Sequence, residues 1–187
     1  MRNKSLRARL LLGVAILPAA ALLAVLPVQS AAASGSPNVG FGFNAPSISG
    51  FPTGSLALTG GGAFDPDTSS GFVDAGGSFT CTAPVDQNQP PFGGCQQGEG
   101  VRWDTEKVLA GTLFKCSASE TPRSISTDDD TVVLQADFYR AGDGNEESFT
   151  ANMIVSTQDL DGDPTGGIVQ NVWVQGIGCG TALTQFS

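Results

Sequence analysis

The chain has 187 residues, with 18 acidic residues against nine basic ones, no histidine and four cysteines. Without imidazole, Ser-His-Asp and Cys-His nucleophilic catalysis in their usual forms are excluded, and so is the commonest general base near neutral pH. The acidic balance argues against nucleic acid and anionic membrane surfaces as partners, because binding either requires a basic patch.

Residues 1–33 have the layout of a secretory signal peptide. Arg2, Lys4, Arg7 and Arg9 precede an apolar run from Leu10 to Leu26, and Ala31-Ala32-Ala33 supplies an Ala-x-Ala cleavage site. A retained membrane anchor is the alternative, although Pro18 breaks the run. Beyond Ala33 lie all 18 acidic residues but only five basic ones, Arg102, Lys107, Lys115, Arg123 and Arg140, which is a net charge of −13. The expected location is secreted, extracellular, with a surface that attracts cations.

Residues 34–54 are rich in Gly, Ser, Pro and Asn but carry Phe41, Phe43, Ile48 and Phe51. This stretch reads as an arm, either loosely ordered or docked on a sheet through its rings. An all-β domain is expected over 55–187. Leu56 and Leu58 lead into Gly60-Gly61-Gly62, Asp65-Pro66-Asp67 turns the chain, and Phe79 shares a strand face with Cys81. The triple glycine has no following helix or Lys to make a phosphate cradle, so it reads as a sheet bend or bulge. Val101 and Trp103 form one face of a further strand. Glu106-Lys107-Val108-Leu109 extends it as a strand or as one helical turn. Phe114 and Cys116 share a face after that. Near the C-terminus Val172 and Val174 face the core, while Asn171, Trp173, Gln175 and Ile177 face outward.

The clearest pattern is a hairpin between Asp128 and Asp163. Val132, Leu134, Ala136 and Phe138 alternate with Val133, Gln135, Asp137 and Tyr139; Phe149, Ala151, Met153 and Val155 alternate on the returning strand. A type I′ turn at Asp143-Gly144 pairs Phe138 with Phe149, Ala136 with Ala151, Leu134 with Met153 and Val132 with Val155. A four-residue loop shifts these pairs but keeps the same faces together. With seven to eight short strands between Gly, Pro and Asp turns, the fold is an all-β, single-domain antiparallel sandwich or closed barrel.

Cys81, Cys95, Cys116 and Cys179 contain no C-x-x-C, and an even number in an exported chain reads as disulfides. Three connectivities are open. Cys81–Cys95 with Cys116–Cys179 is favoured, because the first closes the polar loop from Pro84 to Gly94 and the second ties the C-terminal strand to an interior one.

The strings Gly60–Pro66, Gly76–Cys81, Gly98–Asp104, Asp137–Ser148 and Asn171–Gly180 resemble segments of exported actinobacterial all-β proteins. That resemblance implies export and a β fold, and brings no activity or binding residues with it.

Three chemistries remain. Glycosidase-type hydrolysis needs only two carboxylates, for which Glu99, Asp104, Glu106 and Asp137 are the candidates. A carbohydrate-binding module would stack a sugar on outward Trp173 beside Asn171 and Gln175, with Tyr139 on the same sheet. A calcium ion would sit among Asp128, Asp130, Asp159, Asp161 and Asp163 at the open end of the hairpin. The last three resemble the start of an EF-hand loop, but Gly162 comes too early and Gln170 stands where the bidentate Glu belongs. The expected function is a secreted, non-enzymatic binding or cell-envelope protein whose partner is a glycan or an envelope protein.

Overall fold

In the computed structural model, residues 38–87, 93–140, 146–162 and 168–187 are described. The signal segment and the Asp143-Gly144 turn lie outside them. The strands run in chain order β1 (Val39–Gly50), β2 (Ser55–Phe64), β3 (Val73–Ala83), β4 (Val85–Asp86), β5 (Gly94–Cys95) and β6 (Arg102–Val108). They continue as β7 (Gly111–Phe114), β8 (Arg123–Ser126), β9 (Thr131–Tyr139), β10 (Glu147–Ser156), β11 (Val172–Val174) and β12 (Gly178–Phe186). Eight of them close an antiparallel barrel in the order β1-β12-β11-β10-β9-β6-β3-β2, while β4-β5 and β7-β8 form separate two-stranded ribbons. The barrel thus resolves the choice between sandwich and barrel. Closure leaves its strands no free sheet edge.

The hairpin β9-β10 has the expected register: Phe138 meets Phe149, Ala136 meets Ala151, Leu134 meets Met153 and Val132 meets Val155. Hydrophobic alternation fixes which faces coincide, since a one-residue slip of either strand would turn its four inward side chains outward. Beyond Phe149 a bulge at Ser148 moves Glu147 opposite Tyr139. At the other end pairing stops at Thr131 and Ser156, whose buried hydroxyls bond to each other at 2.8 Å.

The interior of an eight-stranded barrel is narrow enough for side chains to fill, and here one aromatic layer fills much of it. Across the strands, Phe43 lies beside Gly60, Gly60 beside Gly77, Gly77 beside Trp103, Trp103 beside Phe138, and Phe138 beside Phe149. The Trp103 indole occupies the space that side chains at Gly60 and Gly77 would fill. Its N–H donates to the Thr59 carbonyl at 3.0 Å, and its ring is fully buried. Phe79 meets Phe138 and Phe149 edge-on at 5.1 and 6.1 Å. The glycine run is neither a cradle nor merely a bend; it is the space for an indole.

Residues 39–50 of the expected arm are instead strand β1, paired with β2 on one side and β12 on the other. Phe41, Phe43, Ala45 and Ile48 are core residues. Pro46, which lacks an N–H, is tolerated because it sits where the register shifts between Ala45 and Ile48. Glu106 to Val108 continues β6 as a strand, not a helical turn.

Both favoured disulfides are formed, Cys81–Cys95 and Cys116–Cys179. The first, buried in the main core, fastens β4-β5, whose Val85 is also buried there. The second lies outside the barrel wall, in another apolar layer. Two buried disulfides indicate an oxidising, non-cytoplasmic environment. Among the described residues no helix is long and apolar enough to cross a membrane.

Candidate functional site

Val133, Ile154, Trp173 and Cys179 form an in-register row across β9, β10, β11 and β12 on the outer side of the barrel. Alternation places Val133 and Ile154 opposite the barrel core, on the face that Gln135, Asp137 and Thr150 make polar. A row of bare apolar side chains would be costly in water, each worth about 1.5–3 kcal/mol when fully buried. The β7-β8 ribbon covers it. Phe114 and Cys116 pack on the row with Leu160, and Leu109 and Ile125 flank them. Phe114 meets Trp173 edge-on at 6.0 Å, the Arg123 guanidinium lies 5.0 Å from the Phe114 ring, and the Cys116–Cys179 bond fastens the flap to the barrel.

Where the flap meets the turn after β1, an open groove of about 400 Å³ remains. Phe51, Pro52, Leu113, Phe114 and Pro122 supply its apolar walls, and Trp173 reaches it from below. Leu113 is 68 % exposed. The polar groups at the groove are Lys115 and Gln175. The Lys115 ammonium lies 4.2 Å from the Phe51 ring centroid. Gln175 is tied down by its neighbours: its side-chain oxygen accepts from Asn152 N at 3.1 Å and its carbonyl from Gln87 Nε2 at 2.7 Å.

The expected sugar platform is not present. Trp173 does lie outside the barrel, but it is only 6 % exposed and its N–H is committed to the Lys115 carbonyl at 3.1 Å. Stacking needs a bare ring face, and Phe114 and the flap cover this one. Asn171 is buried as well. Its amide donates to the Ala182 carbonyl and to Thr184 Oγ1 and accepts from Ala182 N, so it joins the chain to β12 and offers nothing outward. Tyr139, six positions from Val133 along β9, lies away from this row, stacked 4.0 Å under the Arg102 guanidinium. Ile177 is fully buried in the main core, not outward. Strand alternation fails there because Gly176, at φ 81°, turns the chain between β11 and β12.

The acidic residues split between two turns. Asp128 Oδ1 accepts Asp130 N at 2.9 Å within the tight turn that bridges Asp128 to Thr131. Asp159 Oδ1 accepts Gln170 N at 3.0 Å, and Asp161 Oδ2 accepts Gln170 Nε2 at 3.1 Å. Gln170 thus bonds both carboxylates, Asp159 through its backbone N–H and Asp161 through its side-chain amide. Asp163 lies outside the described residues. Among the described residues no three Asp, Glu, Cys or His side chains converge on a metal position. The expected cage is therefore not assembled by Asp128, Asp130, Asp159 and Asp161.

Of the hydrolase candidates, Glu99 accepts Gln96 N at 2.8 Å inside its own turn, and Glu106 is exposed. Asp104 and Asp137 are directly paired on neighbouring strands. They stand side by side on the outer wall, not across a cleft. Asp104 is ion-paired with Arg102. Asp137 and Glu147 lie 2.6 and 2.7 Å from the same Thr150 hydroxyl, which has one proton to donate. Like charges facing each other on a sheet oppose pairing. Asp137→Asn is therefore expected to stabilise the fold by about 0.5 kcal/mol at neutral pH and low salt, seen as a raised urea midpoint. A lowered midpoint would show that the carboxylate has a favourable partner. Elsewhere, the Ser69 hydroxyl and N–H hold the exposed Asp67 carboxyl below its ordinary pKa in the β2-β3 turn.

Sequence reasoning missed the flap and its groove. The signal was present in Val133 and Ile154, two apolar side chains on the hairpin's polar face that are paired directly with each other. Strands apolar on both faces need a second packed layer. No family model, curated protein or solved structure matches the chain.

Proposed function

We propose that the protein is an exported, non-enzymatic binding domain, acting outside the cell or at its envelope, that takes an apolar ligand into the groove between the flap and the β1-β2 turn. The observation carrying this reading is the exposed Leu113 beside Phe51, Pro52 and Pro122 in a groove of about 400 Å³. That volume lies in the range of small-molecule sites, which are concave, mostly apolar and supplied with few polar groups. Export is supported by the signal-like residues 1–33 and by two disulfides. A carboxylate hydrolase is less favoured, because Asp104 and Asp137 share one outer wall instead of flanking a substrate.

The test uses protein recovered from culture medium, with its N-terminus read by sequencing and Ser34 expected first. Titration with an environment-sensitive apolar dye should show one saturable site. Leu113→Asp should weaken that binding at least tenfold, while its thermal midpoint stays close to wild type because exposed positions usually change stability by no more than about 0.5 kcal/mol. Undiminished dye binding by Leu113→Asp would remove the groove from consideration.

A further inference from the structure

We infer that the ligand of this groove is a small apolar molecule ending in a single carboxylate, with its tail between Leu113, Phe51 and Pro122 and its carboxylate on the Lys115 ammonium; the inference rests on the groove being the binding site. Charge is the argument. Among the described residues Arg102, Arg123 and Arg140 each have an acidic partner, Asp104, Glu120 and Glu146. Lys107 and Lys115 have no ion pair among the described residues, in a chain where acidic residues outnumber basic ones two to one, and of the two Lys115 is the one that lines the groove. Among the described residues the Lys115 ammonium donates one hydrogen bond, a long one to the Ala118 carbonyl at 3.5 Å.

The ammonium is nevertheless placed. It stands over the Phe51 ring at the mouth of the groove, an attraction that holds a cation without neutralising it. Its methylene stem adds apolar wall, and its head keeps unused donors. An apolar surface ending at one uncompensated cation matches an amphipathic monoanion. A phosphate monoester carries nearly two charges at neutral pH. One lysine would leave the second charge unopposed in the field of a strongly acidic chain. A neutral apolar ligand would not use the ammonium at all.

The probes are octanoate and octanamide, which share a tail and differ in the charge of the head. Binding to the full exported chain is measured by calorimetry at low salt. Wild type should bind octanoate about tenfold more tightly than octanamide, as one charge-assisted contact at a partly dry site implies. Lys115→Met, which keeps the stem's bulk, should bring the two affinities together, whereas Lys115→Arg should preserve the preference. Leu113→Asp should abolish binding of both. Equal affinities in wild type, or a carboxylate preference that survives in Lys115→Met, would overturn the carboxylate assignment while leaving the groove in place. If neither probe binds, both the assignment and the groove fail.

Discussion

Gly60→Val and Gly77→Val should each cost the barrel more than about 3 kcal/mol, at or beyond the upper end of ordinary overpacking. A Cβ on Gly60 would lie 2.5 Å from Trp103 Cζ2 and 2.5 Å from the Gly76 carbonyl oxygen. On Gly77 it would lie 2.6 Å from Trp103 Nε1 and strike the Thr59 carbonyl, which that N–H bonds. Rotamer changes cannot relieve a contact made by Cβ with backbone, so the strands must part or the indole must leave. Displacing the indole also loosens its neighbours Phe43, 6.0 Å away, and Phe138, paired with it in register. Domains of this kind have about 5–15 kcal/mol of stability in total, so a large part is lost. Gly42→Ala is the control. Its Cβ would meet only the Gly60 carbonyl, at 3.9 Å, and the strand should gain up to about 0.5 kcal/mol from losing a glycine. Urea unfolding followed by tryptophan emission distinguishes the three variants, and a wild-type midpoint for Gly77→Val would disprove the account of the glycine run.

What could be read in the sequence was whatever rests on a strict period or on local chain closure. The shared inward face of β9 and β10 was legible because four inward residues alternate on each strand, whereas the bulge at Ser148 beside the turn has no periodic trace. The Cys81–Cys95 bond followed because the loop between them has little apolar material with which to pack itself. Other features depend on partners distant in sequence. Gly40, Gly42 and Pro46 weaken the strand signal of β1, and only pairing with β2 and β12 on both sides makes it a wall of the barrel. Trp173 was placed on the correct side of its strand, yet its exposure depended on a ribbon beginning at Gly111. Asn171 has the composition of a sugar contact and acts as a surrogate strand partner for Ala182. Polar side chains near a turn carry no period that separates these roles.

Replacing both Cys116 and Cys179 by Ala should cost about 4 kcal/mol, against about 3 kcal/mol for the Cys81→Ala, Cys95→Ala pair, because chain-entropy stabilisation grows with the separations of 63 and 14 residues. The two losses should differ in kind as well as size. Cys81–Cys95 is buried in the main core, so its removal should lower the stability of the barrel as one unit while the groove remains. Cys116–Cys179 fastens a two-stranded ribbon, and such ribbons are at best marginally stable by themselves. Without it the flap has Phe114, Leu109 and Ile125 on the outer row and the Trp173-to-Lys115 hydrogen bond. Local opening of the flap should then precede unfolding of the barrel. The chain has two tryptophans, Trp103 inside the barrel and Trp173 under the flap. Acrylamide should therefore quench the Trp173 part of the emission under native conditions in the Cys116→Ala, Cys179→Ala protein and leave the Trp103 part protected. Leu113, Phe114 and Lys115 move with the flap, so apolar dye binding should disappear at the same time, before any loss of β structure by circular dichroism. Wild-type quenching and dye binding in that double variant would show that apolar packing alone holds the flap closed and the groove in shape.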